Sequence, residues 1–99
     1  MKGYVIVNVD VKDPVRYQEY IKAAPPSIKE YGGRYIVRGG RTEKLEGDYE
    51  PRRVVLLEFP SFERAREWWG SHAYAHARGL RQSCAGADLI LVEGCESPV

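Results

Sequence analysis

The chain has 99 residues, with 15 Lys plus Arg against 14 Asp plus Glu and a formal charge of +1. That length suits a single domain built on one core, and the balanced charge supplies no broad field to attract nucleic acid or an anionic membrane. No apolar stretch approaches the roughly 20 residues that span a bilayer, so the expectation is a soluble, cytoplasmic protein with no nucleic-acid or membrane partner.

The N-terminal YVIVNVDV alternates, with Val5, Val7, Val9 and Val11 on one face and Tyr4, Ile6, Asn8 and Asp10 on the other, which predicts a strand. The run is short, carries Asn8 and Asp10 and has no small-residue cleavage site, so it reads as a strand and not as a signal peptide. In DPVRYQEYIKAA, Asp13 is a helix cap and Pro14 suits the first helical position. Tyr17, Tyr20, Ile21 and Ala24 recur at helical spacing behind them. Pro25 and Pro26 disfavour helical backbone before them, predicting a broken helix with a further turn at Ile28 and Tyr31 before Gly32 and Gly33.

RYIVRGG predicts a second strand with Tyr35 and Val37 on one side and Arg34, Ile36 and Arg38 on the other, the arginines serving as edge charges against further pairing. GGRTEKLEGDYEPR is polar and rich in turn residues, hence an exposed loop. RVVLLEF is almost continuously apolar and predicts a central strand buried on both faces. Ser61 caps the next helix, with Glu63 in its first turn and Phe62, Ala65, Trp68 and Trp69 as its apolar residues. Adjacent helical residues point about 100° apart, so one tryptophan belongs in the core and the other lines a cavity mouth or a dimer seam. Gly70 and Ser71 break and recap the chain before a helix over HAYAHARGLRQ, and DLILVE is the last strand. Cys84 and Cys95 flank it, held too far apart for one bridge by a strand rising about 3.3 Å per residue. Inert thiols are expected, with an intermolecular bridge as the alternative.

The order β-α-β-β-α-β is that of a ferredoxin-like α+β fold, a four-stranded antiparallel sheet with its helices on one face. Two helices cover one face only, yet strands one, three and four carry apolar side chains on both, among them Ile6, Leu56 and Ile90. A homodimer joined sheet to sheet is the expected cover.

The segments YVIVNVDVKDPVRYQEY, YGGRYIVRGG, LEGDYEPRRVVLLEFPSFERAREWW, SHAYAHARGLR and ADLILVEG together resemble the domain of unknown function 1330 family of the dimeric α+β barrel superfamily. The resemblance spans essentially the whole chain, and GGRYIVRGG and LEFPS are its more specific parts. It implies a ferredoxin-like protomer whose dimer closes two sheets into a barrel, and no particular reaction, since the superfamily hosts monooxygenases, haem enzymes, isomerase-like proteins and barrels of uncertain activity. Ser71, Tyr74 and Arg81 match the family pattern, whereas His72 and Ala73 stand where Pro and Glu are usual.

Tyr74 and Arg81 are therefore the leading catalytic or binding candidates, a phenol to donate a hydrogen bond and a guanidinium to hold a carboxylate or enolate oxygen. The alternative is that Tyr74 packs beneath its helix and Arg81 pairs with a carboxylate across the dimer. Asn8 is positioned to orient a ligand and Asp10 to act as a base, unless Asp10 lies at the strand's solvated end. Trp68, Trp69 and His72 complete the ligand-binding candidates. His72 and His76 share a helix face, but no Glu follows His72 and no third ligand is evident, so neither metal nor cofactor is expected. The functional expectation is a small homodimer that binds an aromatic or carboxylate-bearing molecule. A cofactor-independent monooxygenase- or isomerase-like enzyme and a non-catalytic structural or regulatory dimer are the alternatives.

Overall fold

A computed structural model describes residues 1–96. Its elements are β1 (Gly3–Val11), α1 (Pro14–Glu30), β2 (Arg34–Arg38), β3 (Arg53–Phe59), α2 (Phe62–Trp69), α3 (His72–Cys84) and β4 (Ala85–Glu93). The strands form one four-stranded sheet in the order β2-β3-β1-β4, and each neighbouring pair is antiparallel. This is the βαββαβ ferredoxin-like α+β arrangement expected, with the second helical unit divided into α2 and α3.

Local chemistry sets the helix starts. Asp13 accepts from the Arg16 amide at 3.1 Å, Ser61 from Arg64 at 3.0 Å and Ser71 from Tyr74 at 3.1 Å, each satisfying an amide that the first turn leaves open. Gly70 closes α2 before Ser71 opens α3.

Period two then sorts β1: Val5, Val7 and Val9 are buried beneath the helices, and Tyr4, Ile6 and Asn8 are half-buried on the other face. The core lies between that sheet face and the helices, with Phe59, Trp68 and Tyr74 among its largest buried side chains.

Three expectations are corrected. First, α1 is not broken: it continues through Pro25 and Pro26 to Glu30. A proline nitrogen cannot donate, so Pro25 leaves the Ile21 carbonyl without its helical partner, and Arg38 Nη2 from β2 reaches that oxygen at 3.5 Å. Ser27 Oγ donates to the Ala24 carbonyl at 2.9 Å and accepts from Trp68 Nε1 at 3.0 Å, tying the segment after the prolines to α2.

Second, β2 does not alternate regularly. Tyr35 pairs with Leu57 but Val37 pairs with Leu56, a bulge that leaves Ile36 as the extra residue. Past it the faces exchange, so Val37 joins Arg34 on the open face, while Arg38 joins Tyr35 beneath the helices and stacks over its ring at 4.0 Å. Arg38 is thus not simply an edge charge.

Third, β3 is central, but within the chain it is buried only on its helix side, through Val55, Leu57 and Phe59. Val54 and Leu56 remain half-exposed on the open face.

Cys84 ends α3 as a buried thiol, and β4 separates it from Cys95.

Candidate functional site

The space between α1, α3 and the sheet is filled by tyrosine and arginine. On α1 the helical period puts Tyr17, Tyr20 and Ile21 on the sheet-facing side, and on α3 it aligns Tyr74, Ala77 and Arg81. The β2 bulge brings Tyr35 and Arg38 to the same space, and Arg53 enters from the start of β3. The aromatic rings form a connected series. Phe59 and Trp68 have centroids 5.3 Å apart, Trp68 and Tyr74 4.1 Å, Tyr74 and Tyr20 6.5 Å edge to face, and Tyr20 and Tyr17 5.4 Å.

Hydrogen bonds link this series to charge. The Tyr20 and Tyr74 hydroxyls lie 2.8 Å apart, and Arg81 Nε donates to the Tyr74 hydroxyl at 3.5 Å. Arg81 is 4% exposed. The ion pairs among the described residues lie elsewhere: Lys12 with Asp10, Arg34 with Glu58, Lys44 with Glu50 and Arg64 with Glu67. Arg38, Arg53 and Arg81 therefore have no carboxylate partner among the described residues.

Burial pushes the Tyr20 phenol far above its ordinary range, with Tyr74 reinforcing the effect and Arg81 opposing it. Burial also raises Tyr17, against Arg53, and Tyr35, against Arg38. These phenols keep their protons and serve as donors.

A pocket opens in this layer beside Tyr17, Tyr20, Tyr35, Arg38 and Arg53. Its free interior is about 20 Å³, room for about one water molecule. Outside it lies a groove along Pro25, Pro26 and Lys29, and Ile28, Tyr35 and Arg38 are common to both walls.

The structure gathers some of the sequence candidates and separates others. Tyr74 and Arg81 come together, and Trp68 packs on Tyr74 with 1% exposure. Arg81 is enclosed by its own chain, where its Nε donates to the Tyr74 hydroxyl. Trp69 is 45% exposed and lies beside Arg78, whose guanidinium is 5.3 Å from its ring.

Asn8 lies on the open face, where its amide is occupied. Its Nδ2 donates to the Glu50 carbonyl at 3.0 Å and its Oδ1 accepts from the Arg52 amide at 2.7 Å, clamping the end of the β2–β3 loop. Asp10 shares that face, across the sheet from Tyr74, and its hydrogen bond from Lys12 at 2.7 Å holds its carboxyl below the ordinary value. His72 and His76 are exposed on α3, and no group of three His, Cys, Asp or Glu side chains is placed to hold a metal among the described residues.

Sequence reasoning passed over Tyr35, Arg38 and Arg53 as site residues. The signal for Arg53 was present: it shares strand parity with Val55, Leu57 and Phe59, a cation in a core-facing register. Arg38 had no such signal, because the bulge alone turns it inward.

Comparison with known proteins places this geometry in a family. The family described as "domain of unknown function (DUF1330)" matches residues 2–95. Among solved structures, a protein of unknown function from Rhodopseudomonas palustris is 20% identical, with 97% of this chain and 84% of that one covered and a TM-score of 0.76. A conserved protein from Bacteroides thetaiotaomicron, described as of unknown function and a "possible oxidoreductase", is 21% identical over 94% of this chain and 97% of that one, with a TM-score of 0.61. A dimeric ferredoxin-like protein of unknown function from Jannaschia sp. is 14% identical over 95% and 100%, with a TM-score of 0.63. At these identities the likeness is one of fold. No curated protein matches the chain.

Proposed function

Because the chain belongs to the domain of unknown function 1330 family, whose description names no activity, its function must be argued from its own side chains, and we propose that it is a homodimer that binds a small molecule in the tyrosine–arginine layer between helices and sheet. The carrying observation is Arg81, a guanidinium buried to 4% exposure with a tyrosine hydroxyl, and no carboxylate, as its partner among the described residues. A desolvated cation without a counter-charge is costly, and in the adjoining pocket, where Arg38 and Arg53 rather than Arg81 line the wall, an acceptor-bearing ligand adds negative charge to a layer that holds three arginines without a carboxylate partner among the described residues. Buried phenols that retain their protons add donors of the same polarity. An aromatic or carboxylate-bearing molecule fits, since aromatic walls stack on a flat body and the donors take its oxygens.

Binding is favoured over a catalytic role because the layer offers donors, whereas the candidate base Asp10 is paired with Lys12 on the other side of the sheet. The dimer follows from the open face. Across it the register aligns Val37, Leu56, Ile6 and Ile90 in one apolar row spanning all four strands. Val37 is 39% and Ile90 56% exposed. The Jannaschia relative is itself described as dimeric.

The ligand site is tested by protein-observed NMR with a panel of charged and neutral aromatic fragments. Fragments are expected to move the resonances of Tyr20, Tyr35 and Tyr74 together and saturably. Shifts confined to other surfaces, or none, would count against the site.

A further inference from the structure

We propose that the ligand is a small carboxylic acid, its head held by Arg53 in the inner pocket and its apolar body lying in the groove along Pro25 and Pro26. This rests on reading the pocket as a ligand site and adds the ligand's chemistry. Arg53 lines the pocket from the start of β3, and its Nε is a buried nitrogen with no hydrogen-bond acceptor among the described residues. Its guanidinium is held between the Tyr17 ring, 5.7 Å away, and the backbone at Gly39. A buried N–H left unmade is rare in a folded protein and calls for an explanation.

The charges around it decide what can supply the acceptor. No ion pair of Arg53 or Arg38 exists among the described residues, so a cationic ligand is repelled and an anionic one attracted. A guanidinium presents a planar fork that matches the two oxygens of a carboxylate. The pocket's interior of about 20 Å³ is cramped for a tetrahedral anion, while a flat head can enter edge-on beside the tyrosines.

The rest of the ligand has a place as well. The outer groove, about 570 Å³ and open to solvent, is walled by the apolar Pro25, Pro26, Ile28 and Tyr35, with Lys29 and Arg34 at its margin and Arg38 at its inner side. Arg38 stands between the two spaces, stacked on Tyr35 at 4.0 Å and held to the Ile21 carbonyl only by a 3.5 Å contact. When it swings outward the spaces join into one site, cationic at its inner end and mainly apolar at its outer end, where Lys29 and Arg34 also favour an anion. That is the complement of an aryl or alkyl carboxylic acid.

The test titrates isotope-labelled wild-type protein with benzoate, octanoate, benzamide and inorganic phosphate, following the Arg53 Nε–H resonance and the Ile28 and Tyr35 amides. Benzoate and octanoate are expected to shift all three saturably, with benzamide weaker by about tenfold or more, the worth of a charge-assisted hydrogen bond. Arg53→Met is expected to abolish that preference, and Arg64→Met, at an ion pair outside the pocket, to leave it intact. Benzamide binding as tightly as benzoate at the same resonances would overturn the carboxylate assignment while leaving the ligand site standing. Phosphate displacing benzoate from Arg53 would overturn it too, as would an Arg53 Nε–H that no carboxylate moves. The wild-type resonance decides even if Arg53→Met does not fold.

Discussion

A phenol taken out of water holds its proton more firmly, and Tyr20 carries this effect far, first through burial and then through Tyr74 beside it. Its folded-state pKa stands above the unfolded value of 10.0, so its contribution to stability is complete below about pH 10 and is lost as the pH rises toward the folded value. The melting temperature followed by circular dichroism should therefore fall more steeply above about pH 10 in the wild type than in Tyr20→Phe; parallel curves would assign the alkaline loss to other groups. Tyr74→Phe leaves the Tyr20 hydroxyl without its partner at 2.8 Å and should cost about 1 kcal/mol in urea denaturation. The resemblance to the family singled out Tyr74 and Arg81, and α3 places them on one face. What the sequence could not show is that no carboxylate among the described residues meets Arg81, because a missing partner is a property of the packed interior and not of any local pattern.

Among the elements, the legible parts were those governed by neighbours in sequence. Asp13, Ser61 and Ser71 cap their helices as their side chains dictate, and the alternation of β1 survives intact. The misreadings of α1 and β2 depend on distant partners. α1 continues through Pro25 and Pro26 because Trp68 and Arg38 supply contacts from other elements, and β2 changes phase at Ile36 because its register with β3 slips by one residue. Gly39, just past β2, combines both kinds of constraint. Its φ of 70° lies in the left-handed region, and an added Cβ would fall 2.2 Å from Arg53 Nη1. Gly39→Ala should cost about 1–2 kcal/mol through backbone strain, with the Arg53 guanidinium displaced. Chemical denaturation measures the first, and the Arg53 Nε–H resonance reports the second.

The whole molecule extends 41 × 37 × 17 Å, thin because it is a sheet with helices on one side only. Sequence alternation already implied apolar side chains on both faces of β1, β3 and β4, but which of them share the open face, and the row of Val37, Leu56, Ile6 and Ile90, needed the register. If that row is the dimer seam, light scattering on the wild type will give the mass of two chains at micromolar concentration, and Ile6→Glu with Ile90→Glu will give one; a one-chain mass for the wild type would refute the sheet-to-sheet dimer. A last consequence concerns how the molecule breathes. Pro25 and Pro26 contribute no amide hydrogens, so the record of hydrogen exchange along α1 is interrupted there. The pocket wall crosses that interruption, with Tyr17, Tyr20 and Ile21 before it and Ile28 after it. The prolines remove only the bonds that would run to the Ile21 and Lys22 carbonyls, so fewer backbone hydrogen bonds join the two stretches of that wall than join neighbouring turns elsewhere in the helix.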